Sequence, residues 1–566
     1  MKRRVICLLL IMTVIIHQLP VFAADTGYTD VPPEHWAAQY IDEATRLGIL
    51  NGMGEGLFGV GQEVTRAQFT AMLVRLFNFA PVESAAPSFS DNEDESAWYY
   101  MPIETAVANG AVLKDSSVFR PDDSITRAEM AVMLVRALGY DSLTSKTADF
   151  GVPFSDVHEN IGYITIAYDF GIINGMTNTA FEPDGSATRE QAAAMMMRLY
   201  DRYSAKIDWL HAFYAISSFS QVDSIPDMDS VSFCWSKLQY SEEGGPALNT
   251  TPSDGNVFCI PSGYELPVQT AQGCHVPTNL NVYMSTAQTV MKSDGTESNA
   301  CREILLDSCN RASAIAQIVS QLNDNSFYSG VTIDFEAMSG AELSEGLVDF
   351  LDELRTALDG VDKTIYVCVP PVISDGHYYN AYQYRAIGEL CDKVILMAHD
   401  YQATSMAPNL MEAGFTATPL TPLSEVYYAL RSITDPMTGV QDTSKVALAV
   451  SFNTEQWQLQ DGKVINSIPY HPDTESVYQR LIDDRTTMNY STQYDNAYLT
   501  FSDESGGTQN VLWYEDERSI AAKLDLAKMF GVTSISIWRL GLIPDYESQL
   551  ERNLHYNVLD LLMRGK

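Results

Sequence analysis

Gly330-Val331-Thr332-Ile333-Asp334-Phe335-Glu336 is the stretch on which the reading of this 566-residue chain turns. Apolar and polar residues alternate along it, and a strand sends successive side chains to opposite faces. Val331, Ile333 and Phe335 therefore share one face, and Thr332, Asp334 and Glu336 share the other. Two carboxylates together at a strand's C-terminal end are costly unless they are paired or used. Like charges that close also raise one of the two pKa values, as a general acid requires.

Outward from this segment the chain after Tyr203 alternates short β-rich apolar runs with helical stretches, the pattern of parallel strands joined by crossover helices. The candidate strands are Leu210–Ile216, Val231–Trp235, Asn281–Ser285, Val331–Glu336, Ile365–Val369, Val394–Ala398, Val446–Ser451 and Ile535–Trp538. Eight strands in a segment of this length predict a (β/α)8 TIM barrel over 205–566. Val331, Ile333 and Phe335 then face its helical shell, and Asp334 and Glu336 face its interior. Residues 239–279, rich in Gly, Pro and Ser, read as a long loop at the end where such barrels build their sites.

The 330–336 segment resembles the fourth-strand signature of glycoside hydrolase family 18, a run Asp-Gly-x-Asp-x-Asp-x-Glu. Asp334 and Glu336 match its last two acids, and Ser329 and Thr332 stand at the first two. Met397-Ala398-His399-Asp400-Tyr401 is similar to the family's sixth-strand Met-x-Tyr-Asp motif, with His399 in place of the Tyr, and Ser534 to Gly541 resembles its last strand. The resemblance implies that Glu336 protonates the glycosidic oxygen. It implies that Asp334 orients the substrate's own 2-acetamido group as nucleophile, and that His399, Asp400, Tyr401 and Trp538 bind the sugar. An N-acetylated glycan is then required, and peptidoglycan or chitin is the expected substrate. Tyr283, Tyr366, Trp235 and Gln402 are further candidates for the cleft lining, with ordinary core packing as the alternative.

The first two hundred residues repeat. Thr65-Arg66-Ala67 returns as Thr126-Arg127-Ala128 and as Thr188-Arg189-Glu190, at intervals of about 60 residues. Tyr28-Thr29-Asp30, Phe89-Ser90-Asp91 and Phe154-Ser155-Asp156 open the units, and a Phe follows at 58, 119 and 181. Thr65, Ser124 or Thr126, and Thr188 are placed to cap helices with apolar residues at helical spacing. Repeats at 25–80, 86–140 and 150–203 resemble S-layer homology domains, which implies an all-α three-lobed array. That family binds secondary cell-wall polymers, often bearing acidic pyruvate groups. Arg66, Arg127 and Arg189 are the implied anion contacts, because a guanidinium offers a carboxylate a planar fork of donors, and Trp36 and Trp98 are candidates for stacking on sugars. The alternative is that each Arg caps or pairs inside its own lobe. Gln68, and Gln191 after Glu190, depart from the motif, so weaker binding is expected there.

Lys2 to Arg4 followed by the apolar run Val5–Ile16 and Val21-Phe22-Ala23 reads as an export signal over 1–23, too short for a permanent membrane span. A secreted, cell-wall-associated protein is expected. The net charge of −38 argues against a nucleic-acid partner, and no cofactor or metal site is suggested. Seven cysteines follow Cys7. Cys259–Cys274 and Cys301–Cys309 are candidate pairs, and Cys368, in an apolar run, is expected to be a buried thiol. Three functions follow: a wall-anchored glycosidase, a non-catalytic glycan-binding surface protein, or a structural surface-layer component.

Overall fold

The computed structural model describes residues 27–84, 86–373, 379–503, 506–548 and 552–566; the export signal expected over 1–23 lies outside them. The chain divides into two compact units. One takes in the described residues through Gly139 together with Pro153–Asn160 and Ile172–Arg198; the other comprises Tyr140–Val152, Ile161–Gly171 and Leu199–Lys566.

In the first unit the repeat motifs become a repeated geometry. The Asp that opens each repeat accepts backbone N–H groups from the segment carrying the later Phe. Asp30 takes Phe58 N at 2.7 Å and Gly59 N at 2.7 Å. Asp91 takes Phe119 N and Arg120 N, both at 2.7 Å, and Asp156 takes Phe181 N at 2.9 Å and Glu182 N at 2.8 Å. The opening aromatic packs on the same Phe, with ring centroids 5.7, 5.5 and 5.6 Å apart. Thr65 and Thr126 each cap a helix, Arg66–Leu76 and Arg127–Ala137, in a reciprocal capping box with Gln68 and Glu129. Thr188 N donates to Gln191 Oε1 at 3.1 Å, but the Thr188 hydroxyl is buried without a partner. Single antiparallel bridges then join the segments before these helices in a closed ring: Glu63 with Thr188, Thr65 with Ser124, Thr126 with Ser186.

The second unit contains an eight-stranded parallel barrel. Its strands are β1 (Trp209–Tyr214), β2 (Ser230–Ser241), β3 (Thr278–Ser285), β4 (Tyr328–Glu336), β5 (Thr364–Val369), β6 (Lys393–Leu396), β7 (Val446–Ser451) and β8 (Ser534–Trp538). Each pairs in parallel with the next, and β8 closes on β1. The alternation read from β4 holds. Phe335 packs on Phe350 of helix Ala341–Ala357 at 5.2 Å, whereas Thr332 reaches the interior and meets Ser232 Oγ at 2.7 Å. Ser232 continues to His211 Nε2, and His211 Nδ1 to Ser536 Oγ, each at 2.8 Å. His211 is fully buried, and burial pushes its pKa down to about 3. A neutral hydroxyl–imidazole chain thus spans the barrel interior beneath Asp334.

Two expectations are corrected. Residues 239–279 are not a bare loop: Gly245–Asn249 pairs antiparallel with the end of β2, and Glu265–Gly273 is a helix. No disulfide forms among the seven described cysteines. Cys301 is buried within helix Ala300–Leu305 while Cys309 is exposed at the start of the next, and Cys259 is buried while Cys274 is exposed. Cys368 is buried as expected. Helix Ile161–Asp169, inside the third expected repeat, groups with the second unit. Asp169 accepts from Tyr427 Oη and Arg431 Nε, both at 2.7 Å, and Phe170 meets Phe530 edge-on at 5.3 Å.

One region was not expected at all. Between β7 and helix Glu517–Met529 a five-stranded antiparallel sheet is inserted, from Glu455–Gln460 to Gln509–Tyr514, with helix Thr474–Leu481. Its core holds Val477, Leu481, Leu499, Leu512 and Tyr514. The signal was present in Asp461-Gly462 between alternating residues. Both have positive φ, 50° and 78°, as a two-residue hairpin turn demands.

Candidate active site

At the C-terminal end of the barrel, β4 delivers Asp334 and Glu336 to the interior face. Asp334 is 3% exposed. Asn281 Nδ2 of β3 donates to its Oδ2 at 3.3 Å, and its Oδ1 is buried without a partner. Burial raises its pKa; Asn281, the Cys368 thiol and His399 hold back part of the rise. Glu336 is half-buried. Burial first, then the charges of Asp334 and Asp400, push its pKa well above the carboxylate range, and the nearby Tyr283 hydroxyl offsets only part of this. No cation stands within ion-pair distance of Asp334 or Glu336 among the described residues. A carboxyl so placed stays protonated at neutral pH and can donate its proton.

Asp400 has the opposite environment. Its Oδ1 accepts from Ser451 Oγ at 2.6 Å and from Asn453 Nδ2 at 2.8 Å, and its Oδ2 lies 2.8 Å from His399 Nδ1. Burial alone would raise its pKa, but His399, Ser451 and Asn453 prevail and hold it down at about 2. One carboxylate locked in its charged form thus stands beside another held neutral. Trp538, at the end of β8, packs against the interior cluster that contains Phe213, Cys234 and Cys368, its ring 5.2 Å from Phe213.

The structure therefore brings Asp334, Glu336, His399, Asp400 and Trp538 to one end of the barrel, with Tyr283 alongside. Tyr401 is not among them. Its hydroxyl is buried without a partner, and its electrostatic neighbours include Glu425 and Tyr384 in the helical layer. Trp235 is also core, fully buried and stacked on Phe233 at 3.9 Å, and Tyr366 is buried with its hydroxyl 3.4 Å from Ser230. Sequence reasoning missed Asn281, Ser451 and Asn453, which hold the carboxylates. It also missed Tyr382, whose hydroxyl donates to Phe335 O at 2.6 Å and accepts from Met338 N at 3.4 Å, pinning the backbone on both sides of Glu336. Asn281 and Ser451 lie on strands and Asn453 and Tyr382 outside them, but a single polar residue carries no periodic signal of what it will meet, and only proximity reveals the partner.

In the repeat unit the three arginines have one geometry. Arg66 Nε donates to Phe119 O at 2.9 Å, Arg127 Nε to Phe181 O at 2.8 Å and Arg189 Nε to Phe58 O at 2.9 Å. Each guanidinium also lies over the same Phe ring, 4.9, 4.5 and 5.0 Å from its centroid. Every Arg therefore braces the neighbouring repeat, not its own lobe. Their surroundings differ. Glu129 lies 2.6 Å from both Arg66 and Arg120, whereas at the equivalent position Arg189 meets only the amide of Gln68, at 3.3 Å. Arg189 lines a cavity of about 330 Å³ with Asn51, Gln68, Arg75 and Trp98. Trp98 is 56% exposed and Trp36 57%.

Comparison with known proteins decides what these two units are. The model of glycosyl hydrolases family 18 matches residues 285–542, and that of the S-layer homology domain matches 27–70, 88–131 and 153–193. The chain carries three S-layer homology domains and a family 18 glycosyl hydrolase domain. Relatives include an S-layer protein of Bacillus thuringiensis subsp. finitimus, 28% identical over 35% of this chain and 24% of its own. A candidate sporulation-specific glycosylase of Bacillus subtilis (strain 168), YdhD, is 27% identical over 42% of this chain and 54% of its own. An amylopullulanase of Thermoanaerobacterium thermosulfurigenes is 35% identical over 33% of this chain. The chain spans only 10–24% of the length of the first such relatives. Among solved structures, the spore cortex-lytic enzyme SleL of Bacillus cereus is similar over 86% of this chain and 97% of its own, at 16% identity and a TM-score of 0.48. No helix among the described residues is long and apolar enough to cross a membrane.

Proposed function

We propose that this protein is a cell-wall-anchored glycosidase that cleaves β-linked N-acetylglucosamine glycans, peptidoglycan before chitin, by substrate-assisted catalysis with retention. The observation that carries the reading is the half-buried Glu336, whose pKa is raised by burial and by Asp334 and Asp400, with no cation within ion-pair distance among the described residues. Glu336 gives its proton to the glycosidic oxygen as the C–O bond breaks. The substrate's acetamido carbonyl oxygen bonds to the anomeric carbon from the opposite face, and Asp334 accepts the acetamido N–H. Water then opens the cyclic intermediate, the Glu336 carboxylate takes the water's proton, and the original configuration returns. Asp400, pinned by Ser451 and Asn453, keeps His399 in place as a donor to the bound sugar. Trp538 forms the floor beneath it.

The S-layer homology repeats form the anchor in this reading, as a three-lobed all-α array outside the cell. Arg66, Arg127 and Arg189, with Trp36 and Trp98, hold an acidic secondary wall polymer. Tethering raises the local substrate concentration without a new contact in the barrel. The expectation that Gln68 weakens its groove is reversed here. Glu129 consumes charge at Arg66, and Gln68 leaves the Arg189 groove cationic. Digestion of purified peptidoglycan and of chitin oligosaccharides, followed by mass spectrometry, tests the hydrolase reading. New N-acetylglucosamine reducing ends are expected from wild type and none from Glu336→Gln; equal release from both contradicts it. For the anchor, the full chain is expected to sediment with walls and to stay in solution once the secondary polymer has been chemically removed. Sedimentation that survives the removal contradicts it.

A further inference from the structure

The residue after the barrel's last strand bears on which glycan is cleaved, and this inference rests on the hydrolase reading above. β8 ends at Trp538 and Arg539 follows. The chain then turns back on β1, where Leu540 N donates to Phe213 O at 3.0 Å. Arg539 is thereby held at the C-terminal mouth of the barrel, the end at which Glu336 and Asp400 stand. Its guanidinium is within electrostatic reach of Cys234, a thiol of the interior cluster that Asp334 also influences.

Arg539 is half-buried, and burial lowers its pKa. Its one hydrogen bond among the described residues is a 3.5 Å contact from Nη1 to the carbonyl of its neighbour Leu540. It has no carboxylate within ion-pair distance among them. Other arginines of the barrel unit do: Arg431 with Asp169 at 2.7 Å, Arg311 with Glu353 at 2.8 Å, Arg518 with Asp516 at 2.7 Å. Holding a guanidinium partly out of water with no partner is unfavourable, and a site that does so is suited to an incoming anion. A neutral sugar offers it hydroxyls alone, whereas a carboxylate meets its planar fork with two charge-assisted hydrogen bonds. The charged carboxylates of the mouth, Asp334 and Asp400, would repel an acidic chain, so this cation is placed where it changes the choice of substrate.

We propose that Arg539 is a specificity-determining residue that binds a carboxylate on a sugar flanking the cleaved N-acetylglucosamine, so that the preferred substrate is an acidic, muramic-acid-containing strand and not neutral chitin. In an alternating strand both neighbours of an N-acetylglucosamine are muramic acid. A guanidinium beside the Trp538 floor therefore has a candidate carboxylate on either side. The carboxylate is the free lactyl group of peptide-stripped strands or an acid of the stem peptide; the chemistry that recognises it is the same.

The test reads binding, so that it does not depend on turnover. Calorimetry on Glu336→Gln compares four oligosaccharides of equal length: peptide-free strands, the same strands with each lactyl carboxylate converted to a methyl amide, peptide-bearing strands, and chitin. The acidic strand is expected to bind roughly tenfold to a hundredfold more tightly than the amide and than chitin at low salt, the range of a charge-assisted pair. Adding Arg539→Gln should erase this preference, and Arg539→Lys should keep part of it. A preference confined to peptide-bearing strands identifies the stem peptide as the source. Equal affinity for acid, amide and chitin, or a preference that survives Arg539→Gln, overturns the proposal. If the acidic preference stands while wild type releases no reducing ends, the hydrolase reading fails and the binding site remains.

Discussion

The arginines of the repeat unit and the carboxylates of the barrel are ionisable groups drawn partly or wholly out of water, and their surroundings are opposite. Arg127 donates to Phe181 O at 2.8 Å and to Asn174 O at 2.6 Å and covers the Phe181 ring; Arg189 repeats both bonds, with Phe58 O and Asn51 O, and Arg66 repeats the first and pairs with Glu129. Asp334 has a 3.3 Å hydrogen bond from Asn281, the Cys368 thiol beside it, and no cation within ion-pair distance among the described residues. Where a buried charge is satisfied it builds architecture, and three copies close a ring. Where it is left unsatisfied the structure bears a cost that only chemistry explains.

The largest effect expected from this contrast is on activity. Glu336→Gln should lower kcat by about a thousandfold or more, within the usual worth of general acid catalysis, with the thermal transition preserved; comparable turnover would place the acid elsewhere. Arg127→Ala should do the reverse. It removes two hydrogen bonds and a ring contact and should destabilise the repeat unit by about 1–3 kcal/mol, measured by denaturant unfolding, while kcat on soluble oligosaccharides holds. A loss of kcat there would break the division of roles.

The next effect is a shift in pH. Asp400→Asn removes one of the charges that raise Glu336, so the alkaline limb of kcat/KM should move to lower pH by up to about one unit. A limb that stays or moves up contradicts the coupling. Stability follows the same logic. The folded-state pKa of Glu336 is raised, so its contribution is full below the unfolded value and is lost as pH rises through the folded one. Glu336→Gln should therefore gain on wild type above neutral pH, by about 1 kcal/mol, and the gap should close toward pH 4. The smallest effect is at Trp36, which is 57% exposed. Trp36→Ala should change stability by less than about 0.5 kcal/mol yet weaken retention on cell walls.

Much of this was legible because period and repetition are properties of sequence. All eight barrel strands could be read, since apolar runs such as Val446–Ser451 have few other uses. The alternation in β4 decided which side chains enter the barrel. The repeats exposed Asp30, Asp91 and Asp156 before their bonds to backbone N–H groups were known. The inserted sheet was missed because its hairpin lies among polar residues, with the Asp461-Gly462 turn as its main mark. Tyr401 was carried over on motif position alone. β6 ends at Leu396, leaving residues 397–401 outside the strand, so alternation cannot orient that ring. Arg539 could be read only as the neighbour of a Trp; that its guanidinium has no carboxylate within ion-pair distance among the described residues is a fact of three dimensions.

The central claim is that Glu336 protonates the leaving oxygen while the substrate's acetamido group acts as nucleophile. Proton NMR of the first reducing ends released from N-acetylated glycan strands, recorded before mutarotation, tests it directly. The account predicts the β-anomer, and no release from strands whose amino groups have been deacetylated. Release of the α-anomer, or undiminished cleavage of the deacetylated strand, would contradict it.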